Sequence, residues 1–288
     1  MKKTLLFFLL ILTACAPAVN AQPPTVESTA APLPTAAATA TIEPAPTSVP
    51  NGPCDNPLLP LKTGNEWKYR VTTENGEALY TLKALKRDDG GNIVVRVEFV
   101  NQKTGAAVVE PVVCLDGSIE NFPLFMLDMH FSNYLSDDFN TYHDKGIYAP
   151  SYTTLMGDNW SMAWAAQYLT EDYVNIKNPM GGSDIVVLQS SFIYLAFETD
   201  GTHEAVNVPA GNYPQALKVG QRISFPVTLT LPTGGTGGVL TLTVTQWFEP
   251  YVGLVRAQVD RASLALNQQE IALPVLNLIE LMEFKTGR

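Results

Sequence analysis

From residue 54 onward the chain is written in short apolar–polar alternations cut by turn signals, and this pattern restricts its fold more than any other feature. Trp67, Tyr69 and Val71 alternate with Lys68, Arg70 and Thr72. A period of two puts successive side chains on opposite faces of a pleated strand, so each run has one face to bury. Asn75-Gly76 then marks a turn, and Asp88 to Asn92 another, ahead of Ile93, Val95, Val97 and Phe99. Lys103-Thr104-Gly105 precedes a run carrying Cys114, and Asp116-Gly117 closes it. These spacings predict a four-stranded antiparallel meander.

The second half continues in the same style. Trp160, Met162, Trp164, Ala166 and Tyr168 share a face at period two. Residues 185–198 are apolar without clean alternation, which predicts a strand covered on both faces. Ile223, Phe225, Val227, Leu229 and Leu231 alternate with polar residues, and Pro226 predicts an edge strand or a bulge there. Thr233 to Gly238 reads as a flexible tip. Strands are expected at Leu240–Val244 and 251–259, and a last one near Val275 to Phe284. No strong helical period occurs. The expectation is an all-β domain: a large curved antiparallel sheet forming a half-barrel or flattened barrel. Gly-x-x-Trp recurs at Gly64–Trp67 and Gly157–Trp160, which suggests two similar halves, 54–150 and 151–288.

With 46% apolar residues in 288, the chain can build a sizeable core. Its net charge of −10 argues against a nucleic-acid partner and against attraction to anionic lipid. Membrane attachment therefore needs another device, and the N-terminus has one. Lys2 and Lys3 precede an apolar run from Leu5 to Leu12. That run is too short for a bilayer span of about 20 residues but suits a signal peptide. It ends Leu12-Thr13-Ala14-Cys15, which resembles the lipobox of bacterial lipoproteins. The resemblance implies cleavage after residue 14, lipidation of Cys15, and an extracytoplasmic protein anchored to a membrane. Residues 15–53, rich in Pro, Thr and Ala, read as a disordered linker, and 54–288 as the β domain.

With Cys15 lipidated, Cys54 and Cys114 remain, and in an exported protein such a pair reads as a disulfide. Val208-Pro209-Ala210-Gly211-Asn212-Tyr213 reads as a hairpin turn, and Gly253 within Tyr251 to Val255 as a bulge or close backbone contact. Together with Gly64–Tyr69, these stretches resemble secreted bacterial β-domain proteins that bear a Val-Pro-Ala-Gly-aromatic turn. That resemblance implies a curved antiparallel sheet and no particular activity.

Two groups are candidates for a binding site. Phe122, Phe125 and Met126 belong to a dense apolar stretch, 119–135, that suits either a lid over an apolar pocket or a plug in the core. Trp160, Trp164 and Tyr168 suit either a cavity or sugar-binding groove, or plain core packing. His130 and His143 stand beside Asp128 and Asp144, the weak basis for a hydrolytic or metal-dependent enzyme. No catalytic motif, metal-ligand spacing or cofactor fingerprint is present, so no catalytic residue, metal or cofactor is assigned. The sequence thus reads as a membrane-tethered binding or structural module of the cell envelope, its partner an envelope polymer or protein. The alternative is a carrier of an apolar ligand in a half-barrel cavity.

Overall fold

The computed structural model describes residue 52 and residues 54–287, with breaks at 74–75, 89–92, 123–128, 130–140, 171–172, 178–184, 190–191, 232–233, 267–268 and 274–276. All belong to the compact unit Ile42–Arg288. Cys15 and the linker up to residue 51 lie outside the described residues, as do Phe125, Met126 and His130.

The expected meander is there. Strands β1 (Glu66–Thr73), β2 (Gly76–Asp88), β3 (Ile93–Asn101) and β4 (Ala107–Leu115) pair antiparallel in chain order. A two-residue β5 (Ser118–Ile119) follows through Asp116 (φ 50°) and Gly117 (φ 80°). Left-handed backbone at both central residues is what a two-residue hairpin loop needs to match strand twist, which explains Asp-Gly there. Inward from β1 point Trp67, Tyr69 and Val71, while Lys68 and Arg70 point outward and pair with Glu283 and Glu280 at 2.5 and 2.7 Å.

The rest of the chain supplies β6 (Thr141–Gly146), a six-residue helix α1 (Tyr152–Gly157), β7 (Ser161–Thr170), β8 (Tyr173–Lys177) and β9 (Ile185–Gln189). Next come β10 (Phe192–Asp200), β11 (His203–Val208), β12 (Gly211–Leu231), β13 (Gly234–Glu249) and β14 (Gly253–Leu266). β15 (Gln269–Leu273) and β16 (Leu278–Lys285) complete it. One antiparallel sheet runs β5-β4-β3-β2-β1-β16-β14-β13-β12-β10-β7-β6. It is not closed into a barrel. Among the described residues its two ends come together at an isolated bridge, Ile119 to Ala149, beside which Tyr148 N–H donates to the Ile119 carbonyl at 2.9 Å. β6, from the expected first half, pairs with β7 from the second.

The 21-residue β12 is the spine of the second half. Along one side it pairs in turn with β11, β10 and β9, and along the other with β13. This arrangement corrects three expectations. β12 is an interior strand without a bulge at Pro226, which pairs with Val239 in β13; on its other side Pro226 falls in a local gap of the described pairing, between β10 opposite Ser224 and β9 opposite Thr228. An imide nitrogen is tolerated where no strand waits for its hydrogen bond. The tip expected over 233–238 is strand from Gly234 onward, paired from Gly234 opposite Leu231. Residues 185–198 are not one strand covered on both faces. They split into β9 and β10, and β10 alternates without a break, with Ile193, Leu195, Phe197 and Thr199 buried and Phe192, Tyr194 and Glu198 exposed. The apolar run hid this because two of its outward residues are aromatic.

Gly253 opens β14 after a tight turn in which Val252 N–H donates to the Glu249 carbonyl at 3.0 Å. What the position asks of glycine is its φ of 100°, since a Cβ there would meet ordinary contacts, 3.4 Å from Trp67 Nε1 and 3.5 Å from the Leu58 carbonyl. The Val-Pro-Ala-Gly stretch is a hairpin with Val208 opposite Gly211. The two Gly-x-x-Trp entries, by contrast, are not equivalent. Trp67 is fully buried inside β1, whereas Trp160 precedes β7 in a turn.

The chain enters the domain as a strap, Cys54 to Leu61, laid across one end of the sheet and mostly buried. The disulfide between Cys54 and Cys114 ties it to β4. Asn56, wholly buried, ties it elsewhere. Its amide donates to the carbonyls of Gly117 and Pro150 at 2.9 and 2.7 Å, and its oxygen accepts from Leu58 N–H at 2.8 Å and Leu59 N–H at 3.2 Å. Buried backbone groups off the sheet need partners, and one asparagine serves three segments.

Candidate functional site

The six pocket candidates separate. Phe122, Trp164 and Tyr168 belong to the filled interior. Trp164 stacks on Phe197, with centroids 5.2 Å apart and planes 8° from parallel, and donates Nε1–H to the Tyr148 carbonyl at 3.0 Å. Tyr168 donates its hydroxyl to the Phe122 carbonyl at 2.8 Å and accepts from Phe122 N–H at 3.1 Å. The described remainder of the apolar stretch, Ile119 and Met129, is also buried. Burial pushes the Tyr69, Tyr148 and Tyr168 hydroxyls far above the ordinary phenol range, as desolvation of a phenolate requires.

Between these side chains lies an apolar void of about 30 Å³, with Gln246 on its wall. Gln246 donates Nε2–H to Gln221 at 2.9 Å and leaves its own oxygen unpartnered. A ligand pocket needs several hundred Å³, so this void has room for a water but is too small for a lipid. On the outer face a wide, open depression of about 610 Å³ overlies Ala163, Ala165, Ala196 and Gly220. Being open, it cannot enclose an apolar guest.

Trp160 goes elsewhere. It joins Tyr152, Tyr251 and His203 in a row of rings on the loops at one end of the sheet. Centroids are 6.5 Å apart from Tyr251 to Tyr152, 6.3 Å from Tyr152 to Trp160 and 6.2 Å from Trp160 to His203. Tyr152 opens α1, whose N-cap Ser151 accepts from Thr154 N–H at 3.2 Å. After α1 the chain turns sharply, with Asn159 at φ 50° and Trp160 at φ 61°, and Trp160 N–H donates to the Leu155 carbonyl at 2.7 Å. The β10–β11 turn packs against it so closely that a Cβ on Gly201 would meet Asn159 O at 3.1 Å. His203 leaves that turn with Nδ1 2.8 Å from the Gly201 carbonyl. Tyr251, at φ 64°, donates its N–H to the Pro57 carbonyl of the strap at 2.9 Å.

Left-handed backbone costs a bulky residue roughly 1–2 kcal/mol. Glycine or asparagine would hold either turn more cheaply, yet among the described residues two of the four non-glycine residues at positive φ are Trp160 and Tyr251. Such strain persists where neighbours over-determine it, and it gathers at functional sites. The Tyr251 hydroxyl is sequestered without a partner, and its pKa is pushed up to about 12, first by burial and then by Tyr152 and Asp55. Glu249, just before this turn, has its carboxyl raised by burial, with Oε2 unpartnered. Apart from Trp160, none of this row was singled out from the sequence. Its members lie on α1, two turns and the start of β11 with no shared period; the signal available at Trp160 and Tyr251 was an aromatic at a turn position that asks for glycine.

His143 lies on β6 with its ring edge-on to Tyr168, while neighbouring Asp144 accepts from Gln167 Nε2–H at 2.9 Å. Among the described residues no three histidine, cysteine or acidic side chains gather as a metal site would require.

No family model and no curated protein matches the chain. Solved structures similar to it include a candidate lipoprotein from Parabacteroides distasonis, with TM-score 0.50 and 14% identity, covering 80% of this chain and 99% of that one. Another is a candidate exported protein with a YmcC-like fold from Bacteroides fragilis, with TM-score 0.46 and 15% identity over 80% and 100%. The first likeness is one of fold.

Proposed function

We propose that this chain is a lipid-tethered, extracytoplasmic binding module of the cell envelope, and that it uses the ring row at the loop end of its sheet. Cys15 in a lipobox supplies the anchor, and a diacylglyceryl group with its two chains holds where a single chain would not. The Cys54–Cys114 bridge suits an oxidising compartment. The observation that carries the binding role is the contrast between the filled interior and the strained aromatic loops. The void bounded by the described residues, about 30 Å³, is too small for a lipid, whereas Trp160 and Tyr251 stand at left-handed turn positions that glycine or asparagine would hold at less cost.

The anchor is tested by Cys15→Ser with acyl-chain labelling and fractionation. The parent is expected to take up label and sediment with membranes, and the variant to lose both. Label retained by the variant, or native chain in the cytosol, refutes the assignment.

A further inference from the structure

Resting on the lipid anchor of that reading, we infer that the outer face of the sheet carries a second membrane contact, an apolar rung that lies against the bilayer surface in which Cys15 is held. The rung crosses six strands. Tyr142 on β6 stands opposite Leu169 on β7, and Leu169 opposite Phe192 on β10. Pro226 on β12 stands opposite Val239 on β13, and Val239 opposite Ala265 on β14. The register of Tyr194 with Ser224, continued by two residues, sets Phe192 level with Pro226. Partners in an antiparallel ladder share a face, and this one is outward. Tyr142, Phe192 and Val239 are 54%, 36% and 39% exposed, and Pro226 and Ala265 are exposed as well. With strands about 4.8 Å apart, the rung is on the order of 24 Å long measured along the sheet.

Single apolar residues on a surface need no explanation, but a continuous run of them does. Elsewhere the outer face is laced with charge: Lys68 pairs with Glu283, Arg70 with Glu280, Lys218 with Glu204 and Arg261 with Glu270. The rung has no charge from β6 to β14. Two residues along the strands, about 7 Å away, the neighbouring rung reads Gln167, Tyr194, Ser224, Thr241 and Ser263. Its only charges are Asp144 and Lys145 at the β6 edge, which offset each other, and Asp144 is engaged by Gln167 at 2.9 Å. An apolar line beside a line of hydroxyls and amides matches the polarity profile of the acyl–headgroup boundary, where tyrosine rings settle.

What brings lipid to this face is where the chain outside the described domain ends. Residues 16–51, at about 3.1 Å each when extended, reach about 110 Å at most, so a bilayer holding Cys15 is always within that distance. A contact made under such confinement needs little affinity of its own, because the tether raises the effective concentration. With a net charge of −10, acidic faces are repelled by anionic lipid, and the uncharged rung is the face that can come close.

The face is tested without the anchor, on the full chain as Cys15→Ser, by flotation with phosphatidylcholine vesicles at millimolar lipid. Adsorption is expected, and it should survive high salt because it is not ionic. Adding Tyr142→Ser and Tyr194→Ser should lower the partition coefficient about tenfold or more. Both side chains are exposed, so the thermal midpoint should stay with the parent's, which separates lost adsorption from lost fold. Leu79→Ser, at an exposed leucine opposite Arg70 and outside the rung, should leave partition unchanged. No adsorption, or equal adsorption after the two tyrosine changes, overturns the rung. Adsorption to phosphatidylglycerol vesicles alone, abolished by salt, overturns it in favour of a basic patch. A dimer lost with the two tyrosines, without adsorption, overturns it in favour of a second copy of this chain. Acyl labelling of the parent reads the anchor separately. Label without adsorption by the Cys15→Ser chain leaves the anchor and removes the rung; adsorption without label leaves the rung and removes the anchor.

Discussion

Replacing Asn56 is expected to cost more than replacing most core aliphatics, although it is a small polar residue in a loop. Asn56→Ala strands the N–H groups of Leu58 and Leu59 and removes the donor facing the Gly117 and Pro150 carbonyls. The Ala149 carbonyl, a weaker third acceptor at 3.4 Å, keeps the Ile119 N–H. At about 1–3 kcal/mol for each buried group left unpaired, and allowing for non-additivity, the loss should be about 4 kcal/mol. In a domain of this size that is a fall in thermal midpoint on the order of 10 °C. Asn56→Asp adds a signature that packing cannot imitate. The carboxylate keeps the acceptor for Leu58 and Leu59 but turns negative charge on carbonyl oxygens, so the folded state holds its proton more tightly than the unfolded chain. A folded-state pKa raised in this way gives stability that is present below the unfolded value of about 4 and is lost as pH rises through the folded value. Urea denaturation followed by tryptophan fluorescence at pH 4 and pH 7 reads both effects. An Ala variant within about 1 kcal/mol of the parent, or an Asp variant whose deficit is the same at both pH values, would refute this account of the strap.

Two further outcomes follow from the same end of the molecule. Cys54 and Cys114 close a 60-residue loop, so the Cys54→Ala/Cys114→Ala double variant should lose about 4 kcal/mol in urea denaturation, and a loss under about 1 kcal/mol would show that the bridge only decorates a strap held by other contacts. Glu249, raised by burial, should stabilise fully below about pH 4.5 and lose that contribution as pH rises through its folded-state value, so Glu249→Gln should be more stable than the parent at pH 7 and no better at pH 4, with parallel melting curves across that range as the contrary result.

How far the residues alone could be read depends on the range of the interaction. Period-two runs such as Trp67–Val71 and Ile223–Val227 state their own burial, because the pleat decides it within a few residues. Turns written in Asp-Gly and Pro-Ala-Gly state their backbone for the same reason. Residues 185–198 misled because aromatic side chains stand outward on β10, and apolar character does not specify which face is covered. Trp160, Trp164 and Tyr168 look alike along the chain, yet two pack inside and one faces the loops.

By itself the sequence determined the all-β class, the meander, the hairpin turns, the pairing of Cys54 with Cys114 and the expectation of a lipid on Cys15. All of these depend on local pattern or on counting. Only tertiary structure decided that β12 carries three partners on one side and that Asn56 serves three segments. It alone brought Tyr152, Trp160, His203 and Tyr251 into one row. The physical reason is that these depend on loops distant in sequence meeting at one end of a curved sheet, and the angle at which they meet is set by strand twist and bulges summed over the whole ladder.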